Sequence, residues 1–279
     1  MRDSIVNEIF KKLYEDKSFK KMDTEENFNF SGRYYRLKKQ TKNNFNSSTE
    51  KHLGAHIIKT VNIQLNSVHC RIIDLFDGIL LCCETKNYLC MCILLRQIFE
   101  TIAYETYMMD KFENKINEFE NSKGWTKEKL SIAKSLDEWV SLLTKVKDDY
   151  GHIKEMSETQ KMSETQIREY KETNKSIMNA IRWFYKVLED QGVTRTKLSY
   201  DLLSLMVHPN PESTTYFYLL KDDPNRLKND LVIKQNTFLA FRDIVSLIDD
   251  FTNNAINFIE RIKVPLNSYD KKGFERSLN

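Results

Sequence analysis

Apolar side chains recur along this chain with a period near 3.6 and almost nowhere with a period of two. Between residues 4 and 21, Ile5, Ile9, Phe10, Leu13 and Tyr14 share one face and predict a first helix. Residues 22–47 lose that periodicity, are rich in Asn, Lys and Ser, and are expected to form an irregular arm. Ser47, Ser48 and Thr49 are suitable N-caps for a helix running to about Glu84, with Leu53, Ile57, Val61, Leu65, Val68, Ile72, Phe76, Ile79 and Cys83 at helical spacing. The next helix, 87–120, is apolar around most of its circumference from Tyr88 to Ala103, which assigns it to the centre of the core.

Gly124 separates that helix from one at about 126–149, capped by Thr126 and ended near Gly151. Residues 152–190 predict a long polar helix that turns apolar only from Ile177 to Leu188. Met-Ser-Glu-Thr-Gln occurs there twice in tandem, at 156–160 and 162–166. A six-residue period matches no solenoid and reads as a small duplication in a protruding, solvated helix near 150–175. Gly192 suits a C′ position, and Thr194 suits the N-cap of a short helix from Arg195 to His208 that Pro209 ends. A last helix runs from about Leu227 to Lys263, ended by Pro265, with a frayed tail over 266–279. The sum is all-α: an antiparallel bundle of about seven helices over 48–265, preceded by an N-terminal helix and basic arm over 1–47.

Composition narrows the class further. The 279 residues hold 7 Gly and 4 Pro, about a third of the usual share of chain-breakers. That excludes turn-rich β folds and Gly-rich phosphate loops. Three of the four prolines (Pro209, Pro211, Pro224) fall in one loop-like stretch after His208. Forty-three Lys and Arg against 40 Asp and Glu leave +3, too balanced to imply nucleic acid except through a local patch. The longest apolar runs, Tyr88–Leu95 and Ile79–Cys83, fall far short of a membrane span, and the amphipathic N-terminus is no secretory signal. A cytoplasmic protein with no membrane contact is expected. Cys70, Cys82, Cys83, Cys90 and Cys92 contain no C-x-x-C pair and are expected to be buried free thiols in a reducing compartment.

Candidate chemistry lies where helical geometry sets polar residues among apolar ones. Asp201, Ser204 and His208 fall at i, i+3 and i+7 on a short, otherwise apolar helix. His208 closes that helix, where unpaired carbonyls favour an imidazolium able to move a proton near neutral pH. The alternative is a C-terminal cap, with Ser204 bonded back to a carbonyl. Arg96 and Glu100, i and i+4 in the most apolar helix, form either an internal salt bridge or a phosphate-binding fork, with Tyr104 and Tyr107 extending the stripe. Asn62, Asn66 and His69, with Arg71 and Asp74 nearby, suggest interhelical hydrogen bonds. His52 and His56 after Glu50 have zinc-compatible spacing but no third ligand, so no metal and no cofactor are expected. Arg33, Tyr34, Tyr35, Arg36, Lys38 and Lys39 combine cations with rings, as single-stranded nucleic-acid binders do; a solvated basic loop is the other reading.

Leu94-Leu95-Arg96 with Glu100, taken with Tyr200, Ser204, His208 and Pro209, reads L-L-R-x-x-x-E plus Y-x-x-x-S-x-x-x-H-P. This pairing resembles a group of all-helical bacterial proteins of unassigned function related to the HEPN superfamily. Many HEPN proteins are ribonucleases of toxin–antitoxin and abortive-infection systems. The resemblance implies an HEPN-like fold, RNA as substrate, an antitoxin or other protein partner, and a homodimer. Catalytic HEPN proteins carry R-x(4–6)-H on one helix; here Arg195 stands thirteen residues before His208, outside that window. The resemblance therefore implies that Arg96, from the neighbouring helix, stands in for the missing arginine beside Glu100, Tyr200, Ser204, Asp201 and His208. The competing expectation is a non-catalytic interaction module in which the same residues form a buried polar network.

Overall fold

A computed structural model describes residues 2–25, 28–44, 53–121, 178–207 and 226–277 of the chain. Their eight elements are all helices: α1 (Arg2–Glu15), α2 (Lys17–Glu25), α3 (Phe30–Asn44), α4 (Leu53–Glu84), α5 (Tyr88–Asn121), α6 (178–190), α7 (Thr194–Val207) and α8 (Arg226–Ser277). The protein is all-α, as its periodicity and shortage of chain-breakers require; no strand occurs among the described residues. The helix expected at 126–149, the tandem repeat and the proline-rich loop with His208 lie outside the described residues. Among the described residues no helix is long and apolar enough to cross a membrane.

The chain divides into two compact units, each assembled from separate stretches. The first comprises Met1–Phe45, Asn66–Ile102 and Val187–Asn253. Its centre is aromatic. Phe19, Phe30, Tyr34, Phe76 and Phe241 are almost wholly buried, and ring centroids lie 5.0 Å apart for Phe19–Phe30, 4.8 Å for Phe30–Phe241 and 5.2 Å for Tyr34–Phe76. The N-terminal segment is thus part of a core, and the expected irregular arm is corrected to the end of α2 followed by α3. Phe30, Tyr34 and Leu37, at i, i+4 and i+7, form the stripe that buries α3; the lysines and asparagines between them dilute it in any average. Asn29 starts α3: its Oδ1 accepts the Gly32 N–H at 3.0 Å and its carbonyl accepts the Arg33 N–H at 3.0 Å. Gly32 makes this cap fit, because a Cβ there would stand 2.4 Å from the Asn29 amide nitrogen. The single helix expected over 4–21 is broken at Asp16, whose Oδ1 accepts the Phe19 N–H at 3.3 Å near the start of α2.

The second unit comprises Asn46–Leu65, Ala103–Lys186 and Asn254–Asn279. Ile57, Val61 and Leu65 of α4, Phe112 and Ile116 of α5, Ile181 and Phe184 of α6, and Phe258 and Ile262 of α8 are buried in it. Arg261 grips Glu113 with two bonds, 2.6 and 2.9 Å. Helix α8 does not stop at Pro265 as expected but continues to Ser277. Its apolar stripe carries on through Ala255, Phe258, Ile262 and Leu266, with Leu266 fully buried. Burying that stripe offsets the ~3 kcal/mol that an interior proline costs a helix.

The turn between α4 and α5 uses Asn87 twice. Its N–H donates to the Cys82 carbonyl at 2.9 Å, closing α4, and its Oδ1 accepts the Cys90 N–H at 3.1 Å, opening α5. Lys86 before it is left-handed, φ 56°, a conformation that costs an L-residue roughly 1–2 kcal/mol. Gly192 fills the equivalent place after α6 at φ 71°, with Val193 N–H donating to the Leu188 carbonyl at 2.8 Å, as its position in the sequence predicts. Lys86→Gly should therefore stabilise the protein. The relieved strain exceeds the ~0.5–1 kcal/mol entropy cost of a new glycine, so thermal unfolding is expected about 1–4 °C higher. A lower melting temperature would show that the exposed Lys86 side chain makes a contact worth more than the strain.

Candidate active site

Helix α5 places Arg96 and Glu100 one turn apart in the first unit, and Arg96 Nε donates to Glu100 Oε1 at 2.7 Å. The side chains are 20% and 19% exposed, so the pair sits at the edge of the core rather than in it. Gln97 Nε2 donates to the second carboxylate oxygen at 3.2 Å. The third donor comes from a hundred residues away: Tyr200 OH, on α7, reaches Glu100 Oε1 at 2.9 Å. The Tyr200 ring stacks on Phe99, centroids 4.2 Å apart, and the Arg96 guanidinium lies 5.8 Å from its centroid.

The electrostatics favour an intact cation and a neutral phenol. Burial opposes the charge on Arg96, but Glu100, through its charge and hydrogen bond, more than offsets this, so the pKa moves upward. Burial, and then the Glu100 charge, also raise the Tyr200 pKa, which keeps its O–H a donor at neutral pH. Ser204, one turn on, is near enough to ease ionisation of the phenol slightly. That contact falls short of a well-formed hydrogen bond, and the buried Oγ has no partner. The arrangement holds one guanidinium in a fixed orientation beside solvent, as binding an oxyanion requires.

Helix α7 is fastened on a second side as well. Ser199 Oγ, next to Tyr200, donates to Asp243 Oδ2 on α8 at 2.7 Å. Asp243 also meets Arg242 Nη2 at 3.2 Å and Arg195 Nε at 3.3 Å. Sequence reasoning missed this cluster, although Arg242-Asp243 interrupts the apolar run from Phe238 to Ile248 just as Arg96 interrupts its own helix.

Other expected sites resolve differently. Asp201 is exposed and Ser204 Oγ is buried; His208, the third member of the stripe expected on α7, lies outside the described residues. Tyr34, expected to stack on bases, is buried and donates to Asp77, and Arg33 is paired with Asp249 and bonded to the Phe28 carbonyl at 2.8 Å. Tyr35 OH donates to Asn7 Oδ1 at 2.6 Å and Lys38 lies 5.2 Å from the Tyr34 centroid, which leaves Arg36 and Lys39 as the exposed cations of this set on α3. The basic arm is thus largely a packed helix, because its aromatic residues are the ones that bury it.

His69 makes the interhelical bond expected of it, Nε2 to Thr252 Oγ1 at 3.2 Å. Asn62 and Asn66 each keep a buried Oδ1 without a partner. Glu50 and His52 lie outside the described residues, as does the His56 side chain. Among the described residues no three His, Cys, Asp or Glu side chains gather to hold a metal. The expectation of buried thiols holds for Cys83 and Cys92; Cys82 and Cys90 are half-buried and Cys70 is exposed. Burial pushes the Cys92 thiol up to about 11, and burial with a hydrogen bond to Cys90 pushes Cys82 up to about 12.

The cluster around Glu100 lies within a stretch that comparison with known families picks out, residues 63–226, which match the Family of unknown function (DUF5677). The chain belongs to this family. No curated protein and no solved structure matches the chain. The DUF5677 stretch takes in Arg96, Glu100, Tyr200, Ser204 and His208, and it excludes the arm residues 33–39 and the Arg242–Asp243 pair.

Proposed function

We propose that the chain is an HEPN-like, metal-independent endoribonuclease serving as a toxin-like effector of bacterial antiphage defence. In this reading Arg96 holds the scissile phosphate. His208 takes the proton from the ribose 2′-OH as that oxygen attacks phosphorus, then returns it to the departing 5′-oxygen. Tyr200 and Glu100 orient Arg96. The observation that carries the reading is the joining of the two sequence motifs by one carboxylate, Glu100, which accepts from Arg96 at 2.7 Å and from Tyr200 at 2.9 Å beside solvent. Tyr200, Ser204 and His208 follow one another every four residues, so the histidine belongs to the same motif. A cytoplasmic location, an antitoxin partner and a homodimer are parts of the same proposal.

A second reading has its own support. Arg96 Nε and Tyr200 OH are both committed to Glu100, as they would be in a network that only fixes α7 against α5. The chain would then be a non-catalytic interaction module. Cleavage of single-stranded RNA by wild type, His208→Ala and Arg96→Ala, with thermal unfolding of all three, separates the two. The ribonuclease reading expects His208→Ala to lose about 10²–10⁴-fold in rate at an unchanged melting temperature. No cleavage by the wild type, with Arg96→Ala melting lower, sinks it in favour of the module.

A further inference from the structure

In the second unit, α5 and α6 present a pair of rings that its core does not absorb. Tyr107 and Trp183 pack with centroids 5.5 Å apart and planes at 58°, and both are half-buried rather than sealed in the core. The neighbouring aromatic pair of the same unit, Phe112–Phe258, is buried. Cations accompany the rings on the same two helices. Lys111, one turn after Tyr107, holds its Nζ 4.6 Å from the Tyr107 centroid. Arg182 and Lys186, on either side of Trp183, are exposed and form no ion pair among the described residues.

Two features bear on the charge of this surface. Arg182 and Lys186 are like charges at i, i+4, a spacing at which they repel unless an anion lies between them. Glu113, three residues after Asp110 on α5, is held by Arg261 in a two-bonded pair. Flat apolar faces flanked by unpaired cations match the chemistry of unpaired bases on a phosphate backbone, since rings stack on bases of any identity and cations take the phosphates. A cation over an exposed ring is held weakly enough for a base to displace it.

We propose that Tyr107 and Trp183 form a stacking platform on which single-stranded RNA lies, with Lys111, Arg182 and Lys186 taking its phosphates. The combination of rings and cations sought on α3 is thus met on α5 and α6. The choice of RNA over other single strands rests on the ribonuclease reading; the platform itself does not.

The test is binding of a fluorescent, 2′-O-methylated oligouridylate of about twelve nucleotides by the full chain, followed by anisotropy at several salt concentrations. Methylation removes the attacking hydroxyl, so binding is read apart from cleavage. Tyr107→Ala and Trp183→Ala should each weaken binding by about 5- to 100-fold. Trp183→Leu fills the same apolar space without a flat face and should weaken it similarly, while Trp183→Phe should retain most of it. Combined Lys111→Ala, Arg182→Ala and Lys186→Ala should lower the slope of log K against log salt by about 2. Inorganic polyphosphate should respond to the triple variant and not to Trp183→Leu. Wild-type binding that is absent, or that Trp183→Leu leaves unchanged, overturns the platform. Ring-dependent binding without RNA cleavage overturns the ribonuclease reading alone; cleavage with ring-independent binding overturns the platform alone.

Discussion

Asp243→Ala should lower the melting temperature by roughly 6–20 °C, read by circular dichroism. The size follows from what the carboxylate faces. Arg242 is only 4% exposed, and Asp243 beside it accepts from its guanidinium and from the Ser199 hydroxyl. Removing one member of a buried ion pair costs about 3–5 kcal/mol, because the other charge stays desolvated without its counter-charge. Arg195→Ala should cost under about 1 kcal/mol, since that guanidinium is exposed and its pair is screened. Ser199→Ala removes one neutral donor and should cost about 1–2 kcal/mol. Adding Arg242→Met to Asp243→Ala should recover a good part of the loss, since an apolar side chain replaces a buried cation that has lost a counter-charge. If Asp243→Ala melts within about 2 °C of wild type, Asp243 neither balances the buried Arg242 charge nor fastens α7 to α8 through Ser199.

Tyr34→Ala should be comparably damaging, and it separates two views of the N-terminal region. A solvated basic arm that stacks on bases would lose nucleic-acid affinity with the mutation and keep its stability. The structure predicts the reverse. Tyr34 has no exposed surface, its ring packs against Phe10 and Phe76 at centroid distances of 5.8 and 5.2 Å, and its hydroxyl donates to the buried Asp77. Truncating such a ring costs about 3–5 kcal/mol. Tyr34→Phe should cost about 1–3 kcal/mol, because it leaves the Asp77 carboxylate short of a donor while keeping the ring. Binding of single-stranded RNA by Tyr34→Phe, measured below its melting temperature, should match wild type.

These two sites show where the amino-acid pattern is readable and where it is not. Long helices with a dense apolar stripe, α4 and α5, are legible because each turn repeats the same signal, and Gly192 is legible because a local conformation demands it. Helix α3 is not: three apolar anchors among lysines and asparagines look like a solvated loop until Phe76 and Phe241 supply the surface they bury against. The end of α8 misleads for the opposite reason, since Pro265 is a strong local signal outweighed by burial around Leu266. Arg96–Glu100 is a one-turn pair visible from spacing alone. Its link to Tyr200 spans a hundred residues, and only the conjunction of two motifs hinted at it. Asp243 was within reach of the same reasoning about charges in apolar helices, but its partner Ser199 gives no sign of where it points.

The order in which the first unit's pieces occur along the chain bears on how it is made. Phe19, Phe30 and Phe76 rest against Phe238 and Phe241 of α8. A ribosome adding roughly 5–20 residues per second needs on the order of ten seconds or more to travel from the end of Ile102 to Asn253. During that interval the nascent α1–α5 segment carries a greasy aromatic face with nothing to cover it. The yield of such a chain on expression should depend more on chaperone supply and translation speed than its finished stability would suggest.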